Sequence, residues 1–171
     1  MSNLSDDGKA FVSFDGRVDL GVVDGAEIAS VGLRAGPIRL QVGYPGPKGF
    51  GFLHIRGYPD RVLQIQGMGY KSVVEFCAEI ASNFTIVGRA RDERIVVAWR
   101  TPYYDLQLIL EWKENYWTIV TGVPARVARK FEQLCEVVRT SGSEPTPDVA
   151  KRPRFATLSL PKKVSPGGNG S

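Results

Sequence analysis

The stretch from residue 85 to residue 121 limits the fold of this chain more than any other feature. It contains four segments rich in β-branched, leucine and aromatic residues, at 85–89, 94–100, 105–112 and 116–121, joined by connections of only a few residues. Such short connections exclude parallel crossovers, which need a dozen or more residues. We therefore expect an antiparallel four-stranded meander. In its third strand, Leu106, Leu108, Leu110 and Trp112 share the face predicted to meet the core, and Asp105, Gln107, Ile109 and Glu111 share a largely solvated face.

Helical periodicity flanks this region on both sides. Ser72 and Glu75 have the spacing of a capping box, and Val73, Phe76, Cys77 and Ile80 follow the i, i+3, i+4, i+7 pattern of a helix ending near Asn83. Pro124 suits a first helical turn, and Val127, Phe131, Leu134 and Val138 form the stripe of a closing helix. The predicted fold class is α+β: an N-terminal helix, the four-stranded β-meander and a closing C-terminal helix, with an N-terminal β segment and a disordered C-terminal tail.

The composition of the chain divides it into three predicted segments. Residues 1–35 include the turn signals Asp15-Gly16 and Asp24-Gly25 and are predicted to form a small β appendage or a linker. Residues 36–140 form the α+β domain, opening with a Gly/Pro-rich loop that contains one short strand at 38–42. Residues 141–171 include five prolines and two basic clusters, and this composition predicts a disordered tail.

Composition also excludes several classes of protein. The chain has one His and two Cys without a CxxC motif, which argues against a structural zinc site, and it carries no cofactor motif. We expect no metal, no cofactor and two reduced, buried thiols. Apolar runs fall far short of the ~20 residues that cross a bilayer, so a cytoplasmic protein without a membrane partner is predicted. Net charge is +5 over residues 31–140 (fifteen basic, ten acidic), which permits a polyanionic partner.

Two blocks of the sequence resemble the Barnase–EndoU–colicin–RelE (BECR) superfamily of small nucleases, particularly its phage-encoded and polymorphic-toxin branches. They are Gly51-Phe52-Leu53-His54-Ile55, ahead of the helix that opens at Ser72, and the last strand with its Trp-Thr-Ile-Val-Thr run at 117–121. Those families carry a G-x-x-H-I block before the helix and a W-T-V-V-T-like last strand. The resemblance covers roughly residues 36–125. It implies a phage- or toxin-associated hydrolase that cleaves RNA without a metal, by attack of a ribose 2′-hydroxyl on the adjacent phosphorus.

The resemblance also implies roles for individual residues. His54 is the candidate acid–base group because imidazole exchanges protons near neutral pH. Tyr58 or Lys113 would fill the second acid–base role, Arg56 and Arg61 would hold phosphate, and Thr121 would donate a hydrogen bond to it. Many relatives carry a further His a few residues after the first, and this chain does not. That departure leaves open a Tyr/Arg-based site, a slow enzyme or an inactive domain, in which His54 and Thr121 would serve the fold alone.

Aromatic and basic residues alternate along the predicted meander. Aromatic rings stack on unpaired bases while arginines contact phosphate, so this interleaving is typical of a surface for single-stranded RNA. The predicted nucleic-acid-binding residues are Tyr58, Arg89, Arg91, Arg94, Arg100 and Tyr116. The leading hypothesis is a metal-independent ribonuclease with RNA as partner. The alternatives are an inactive module that binds nucleic acid or a protein (an immunity protein, a host factor or a phage assembly component) and a viral structural protein.

Overall fold

A computed structural model of the chain describes residues 7–125 and 131–138. The strands are β1 (Phe11–Val12), β2 (Asp19–Val23), β3 (Gly36–Gln41), β4 (Ile86–Arg89), β5 (Ile95–Arg100), β6 (Asp105–Lys113), β7 (Tyr116–Ala125) and β8 (Glu132–Glu136). The helices are α1 (Ala26–Ser30), α2 (Gly51–Arg56), α3 (Pro59–Gly67) and α4 (Val73–Asn83). Among them, none is long and apolar enough to cross a lipid bilayer. The predicted tail, 141–171, lies outside the described residues.

The predicted fold class is wrong, because the described residues form one eight-stranded sheet with four short helices in place of a four-stranded meander with a helix at each end. Its strand order is β1-β3-β7-β6-β5-β4-β8, and β2 also pairs with β3. β4 to β7 do pair consecutively and antiparallel. However, β3 joins them by parallel pairing, with Ile38 opposite Trp117 in β7. The long crossover that a parallel pair requires is supplied by the helices and the meander between β3 and β7.

The predicted closing helix is also wrong. Glu132–Glu136 forms β8, which pairs antiparallel with β4, and Pro124 lies inside β7. Val127 lies outside the described residues. The physical reason is that β4 would otherwise end the sheet with unpaired backbone N–H and C=O groups, and β8 satisfies them. A stripe of apolar residues at helical spacing does not indicate such an unpaired edge, because the edge is created by strand pairing elsewhere in the chain.

Helix α4 forms as predicted. The Ser72 hydroxyl oxygen accepts a hydrogen bond from the Glu75 amide at 3.1 Å, and a Glu75 carboxylate oxygen accepts one from the Lys71 amide at 2.5 Å. Val73, Phe76, Cys77 and Ile80 are all buried. They pack in one core with Leu106, Leu108 and Leu110 of β6. Phe76 lies against Gly122 of β7, where an added Cβ would stand 3.0 Å from its ring.

The other face of β6 is less exposed than its sequence predicts. Gln107 is only 2% exposed and Asp105 only 8%, although both belong to the face predicted to be largely solvated. Phe131 covers part of this face, because its ring occupies the space beside Gly88 where a Cβ would come within 2.0 Å. The side-chain amide nitrogen of Gln107 is buried and has no hydrogen-bond partner in the part of the chain that the structure describes.

The two cysteine thiols are free, and we expect them to differ in reactivity. Burial raises the pKa of Cys77 to about 12, so its reactive thiolate is scarce near neutral pH. Burial, followed by the nearby Glu27 carboxylate, also raises the pKa of Cys135, but Cys135 is only partly buried. We expect iodoacetamide to label Cys135 at pH 8 and leave Cys77 unmodified, as read by mass spectrometry of peptides. Both should react in concentrated guanidinium chloride, and equal rates in the native protein would contradict the packing of α4.

Candidate active site

His54 lies in the last turn of α2 and is 9% exposed. Its Nδ1 atom is 2.8 Å from the carbonyl oxygen of Gly46. A carbonyl oxygen only accepts, so Nδ1 carries the proton of this hydrogen bond and, in the neutral ring, Nε2 holds the lone pair. This is the tautomer in which Nε2 can take a proton from a substrate hydroxyl.

The loop at 43–50 holds the Gly46 carbonyl oxygen within hydrogen-bonding distance of His54 Nδ1. Tyr44 and Phe50 close the loop through two backbone hydrogen bonds of 3.0 and 3.1 Å. Gly43 has a φ of +68°, and a Cβ on it would stand 1.8 Å from the Phe50 carbonyl oxygen, so only glycine fits there. Sequence reasoning missed Gly46, although the Gly/Pro-rich composition of 36–51 marks a tightly folded loop.

Tyr58 and Arg61 continue from His54 in a chain of contacts. The rings of His54 and Tyr58 meet edge to face, with centroids 5.1 Å apart and planes at 80°. The Arg61 guanidinium carbon lies 4.7 Å from the centre of the Tyr58 ring. Arg61 Nη1 then donates a hydrogen bond of 2.8 Å to Thr121 Oγ1. We call these four residues the His54 cluster.

Local spacing places three members of the cluster together, and the sheet adds the fourth. His54 lies in the last turn of α2, Tyr58 is the residue immediately before α3, and Arg61 lies in the first turn of α3, so all three come from one short stretch of chain. Sequence reasoning missed α2 and α3, although Pro59 stands at the first position of α3, where proline is favoured. Thr121 comes from β7, sixty residues after Arg61. No local signal reports that last contact.

Two residues predicted to be catalytic lie apart from the cluster contacts. Arg56 lies over the ring of Phe52, with its guanidinium carbon 5.8 Å from the ring centre. Lys113 forms an ion pair with Glu111, which also pairs with Arg94 at 2.9 Å. Burial alone would raise the pKa of Glu111, but hydrogen bonds from Lys113 and Arg94 outweigh it and lower that pKa. Lys113 therefore belongs to an ionic network at the β6–β7 turn. It stands opposite Tyr116, five residues before Thr121 on β7, so the rise of about 3.3 Å per residue puts it about 17 Å along the strand from Thr121.

The residues predicted to bind nucleic acid fall into separate groups. Arg89, Arg91 and Arg94 line one groove on the sheet. Arg100 lies at the other end of β5, where its guanidinium donates two hydrogen bonds to Asp105, at 3.0 and 3.3 Å. Tyr116 contacts Arg39, whose guanidinium carbon lies 5.2 Å from its ring centre. Tyr58 belongs to the His54 cluster.

Comparisons with protein-family models, with curated protein sequences and with solved structures found no match for this chain. The superfamily resemblance therefore stays a prediction based on the residues themselves. Within residues 7–125 and 131–138, no three His, Cys, Asp or Glu side chains are grouped so that they could hold a metal ion.

Proposed function

We propose that this chain is a metal-independent ribonuclease-like domain of phage or toxin type, with the His54 cluster as its active site. The observation that carries the proposal is the unbroken series of contacts from His54 through Tyr58 and Arg61 to Thr121. An imidazole, a phenol, a guanidinium and a hydroxyl can together supply the base, the acid and the charge stabilisation that phosphodiester cleavage by a 2′-hydroxyl needs. Its partner is RNA, and it acts in the host-cell cytoplasm, where a protein inhibitor or host factor would bind it.

In the proposed mechanism, Nε2 of His54 takes the proton of the ribose 2′-hydroxyl as that oxygen attacks phosphorus. The bond from phosphorus to the 5′ oxygen breaks, and the leaving oxygen receives a proton from the Tyr58 hydroxyl. The proton held by His54 then returns to Tyr58 through solvent. The products are a 2′,3′-cyclic phosphate and a 5′-hydroxyl, so atoms and charge balance without a metal or an added reactant.

Arg61 and Thr121 stabilise the negative charge that builds on the phosphoryl oxygens. The Thr121 oxygen accepts the hydrogen bond from Arg61, so its own O–H remains available to donate to phosphate. Tyr58 is preferred over Lys113 as the second acid–base group because its ring packs against His54, whereas Lys113 pairs with Glu111.

The test is incubation of the purified chain with total RNA and with end-labelled tRNA in EDTA. The expected result is fragmentation, with fragments that end in 2′,3′-cyclic phosphate. Intact RNA, or fragments ending in 3′-hydroxyl groups, would overturn the proposal. Binding of RNA without cleavage would favour the inactive binding module, which the arginine-lined groove of β4 and β5 supports.

A further inference from the structure

The groove between the β4–β5 turn and the start of β8 has a volume of about 730 Å³, within the ~300–1,000 Å³ range of pockets for small ligands. Arg89, Arg91 and Arg94 lie along it, and Val96, Ile109 and Phe131 supply apolar surface. Gln107 also lines it, and its buried side-chain nitrogen has no hydrogen-bond partner within residues 7–125 and 131–138. An unpaired buried donor destabilises a protein, so the fold keeps Gln107 at a cost that a ligand oxygen or nitrogen would offset.

The charges along the groove differ in their availability. Arg94 is already paired with Glu111. Arg89 and Arg91 have no ion-pair partner among the residues that the structure describes. Asp92 and Glu132 also line the groove, so it favours anions through these two arginines and not through a large excess of positive charge. A ligand that suits it has an anionic group, a planar or apolar part and a hydrogen-bond acceptor.

Strand register places this groove beside the His54 cluster. Thr121 of β7 stands directly opposite Ile109 of β6, and Ile109 stands opposite Val96 of β5. Val96 in turn stands opposite Gly88 of β4, against which the Phe131 ring packs. Directly opposed residues in an antiparallel pair share a face, and neighbouring strands are about 4.8 Å apart. One row of side chains therefore leads from Thr121 into the groove.

We propose that this groove binds one unpaired nucleotide of the RNA strand, next to the phosphate that the His54 cluster cleaves. The Phe131 ring packs against the base, the Gln107 amide donates to an acceptor on its edge, and Arg89 and Arg91 contact the flanking phosphates. This inference rests on the proposed function for the position of the cleaved phosphate. The binding itself does not require cleavage.

The experiment measures binding of a fluorescein-labelled, single-stranded 2′-O-methyl RNA by anisotropy, because a methylated 2′ oxygen cannot attack and the probe stays intact. Gln107→Leu keeps a similar volume and removes the unpaired donor. We expect it to weaken binding by about tenfold while leaving the melting temperature unchanged or higher. Phe131→Leu should weaken binding by roughly 10- to 100-fold. Gln64→Leu, on the exposed side of α3, is the matched control and should bind as the wild type does.

Each other outcome counts against the groove. Wild-type affinity in Gln107→Leu would overturn the proposal, and so would a lowered melting temperature with unchanged binding, which would give Gln107 a purely structural role. Equal competition by polyglutamate would show attraction of any anion, with no nucleotide site. The two proposals can fail separately. If binding depends on Gln107 but natural RNA stays intact, the groove is kept as a nucleotide site and the ribonuclease proposal fails. If RNA is cleaved but binding does not depend on Gln107, only the His54 cluster is kept as a functional site.

Discussion

His54→Asn should lower the rate of RNA cleavage by about 10²- to 10⁴-fold, the range expected for loss of a general acid–base group. Asparagine places an amide N–H near the position of Nδ1, so the hydrogen bond to the Gly46 carbonyl can be kept. It has no counterpart of Nε2 and takes up no proton near neutral pH. The measurement is the initial rate of cleavage of a labelled single-stranded RNA in EDTA, for both proteins at equal concentration.

The stability of this variant separates a catalytic role from a structural one. Replacing the ring removes the edge-to-face contact with Tyr58, and such a contact contributes roughly 0.5–1.5 kcal/mol to the free energy of unfolding. We therefore expect a melting temperature only a few degrees lower. Tyr58→Phe keeps the contact and removes the hydroxyl, so it should slow cleavage without that loss of stability. Cleavage by His54→Asn at the wild-type rate would move the acid–base chemistry to another residue.

Arg61→Ala should lower kcat by about 10²- to 10³-fold, the effect of removing one donor to a charged transition state. The variant deletes the guanidinium that links the Tyr58 ring to Thr121. Arg61→Lys keeps the charge without the planar guanidinium, so its kcat should lie between that of Arg61→Ala and that of the wild type. Thr121→Val keeps the β-branched shape, removes the hydroxyl and should cost roughly tenfold, in the range of one hydrogen bond.

Arg56→Ala is the comparison for Arg61→Ala, because it removes the same charge from the neighbouring helix. Arg56 lies over Phe52, apart from the contacts of the His54 cluster, so its loss should change kcat by less than about threefold, the size of a weak, exposed electrostatic effect. The measurement is single-turnover cleavage, with circular dichroism to check the fold of both variants. Equal losses in the two variants would indicate general attraction of RNA and would remove Arg61 from the active site.

Local pattern alone determined the central part of this protein. Helix α4 begins at a Ser72 cap and buries Val73, Phe76 and Cys77, because both features depend on residues within a few positions of one another. The consecutive pairing of β4 to β7 likewise follows from connections too short for any other route. His54, Arg61 and Thr121 could be singled out as candidates from residue type and resemblance, without any knowledge of their contacts.

Only the tertiary structure decided how the edges of the sheet are used and which candidates meet. Residues 132–136 pair with β4 because that strand, already paired with β5 on one side, would otherwise leave its other edge unpaired, and local periodicity does not reveal this need. The packing of α3 against β7 sets Arg61 beside Thr121, sixty residues later in the chain, whereas Lys113 pairs with Glu111, two residues before it. Gln107 is buried on a face that alternation alone predicts to be solvated, and the Phe131 ring covers part of that face. Contacts between residues distant in sequence depend on the whole chain packing at once, so they are absent from any window of the sequence.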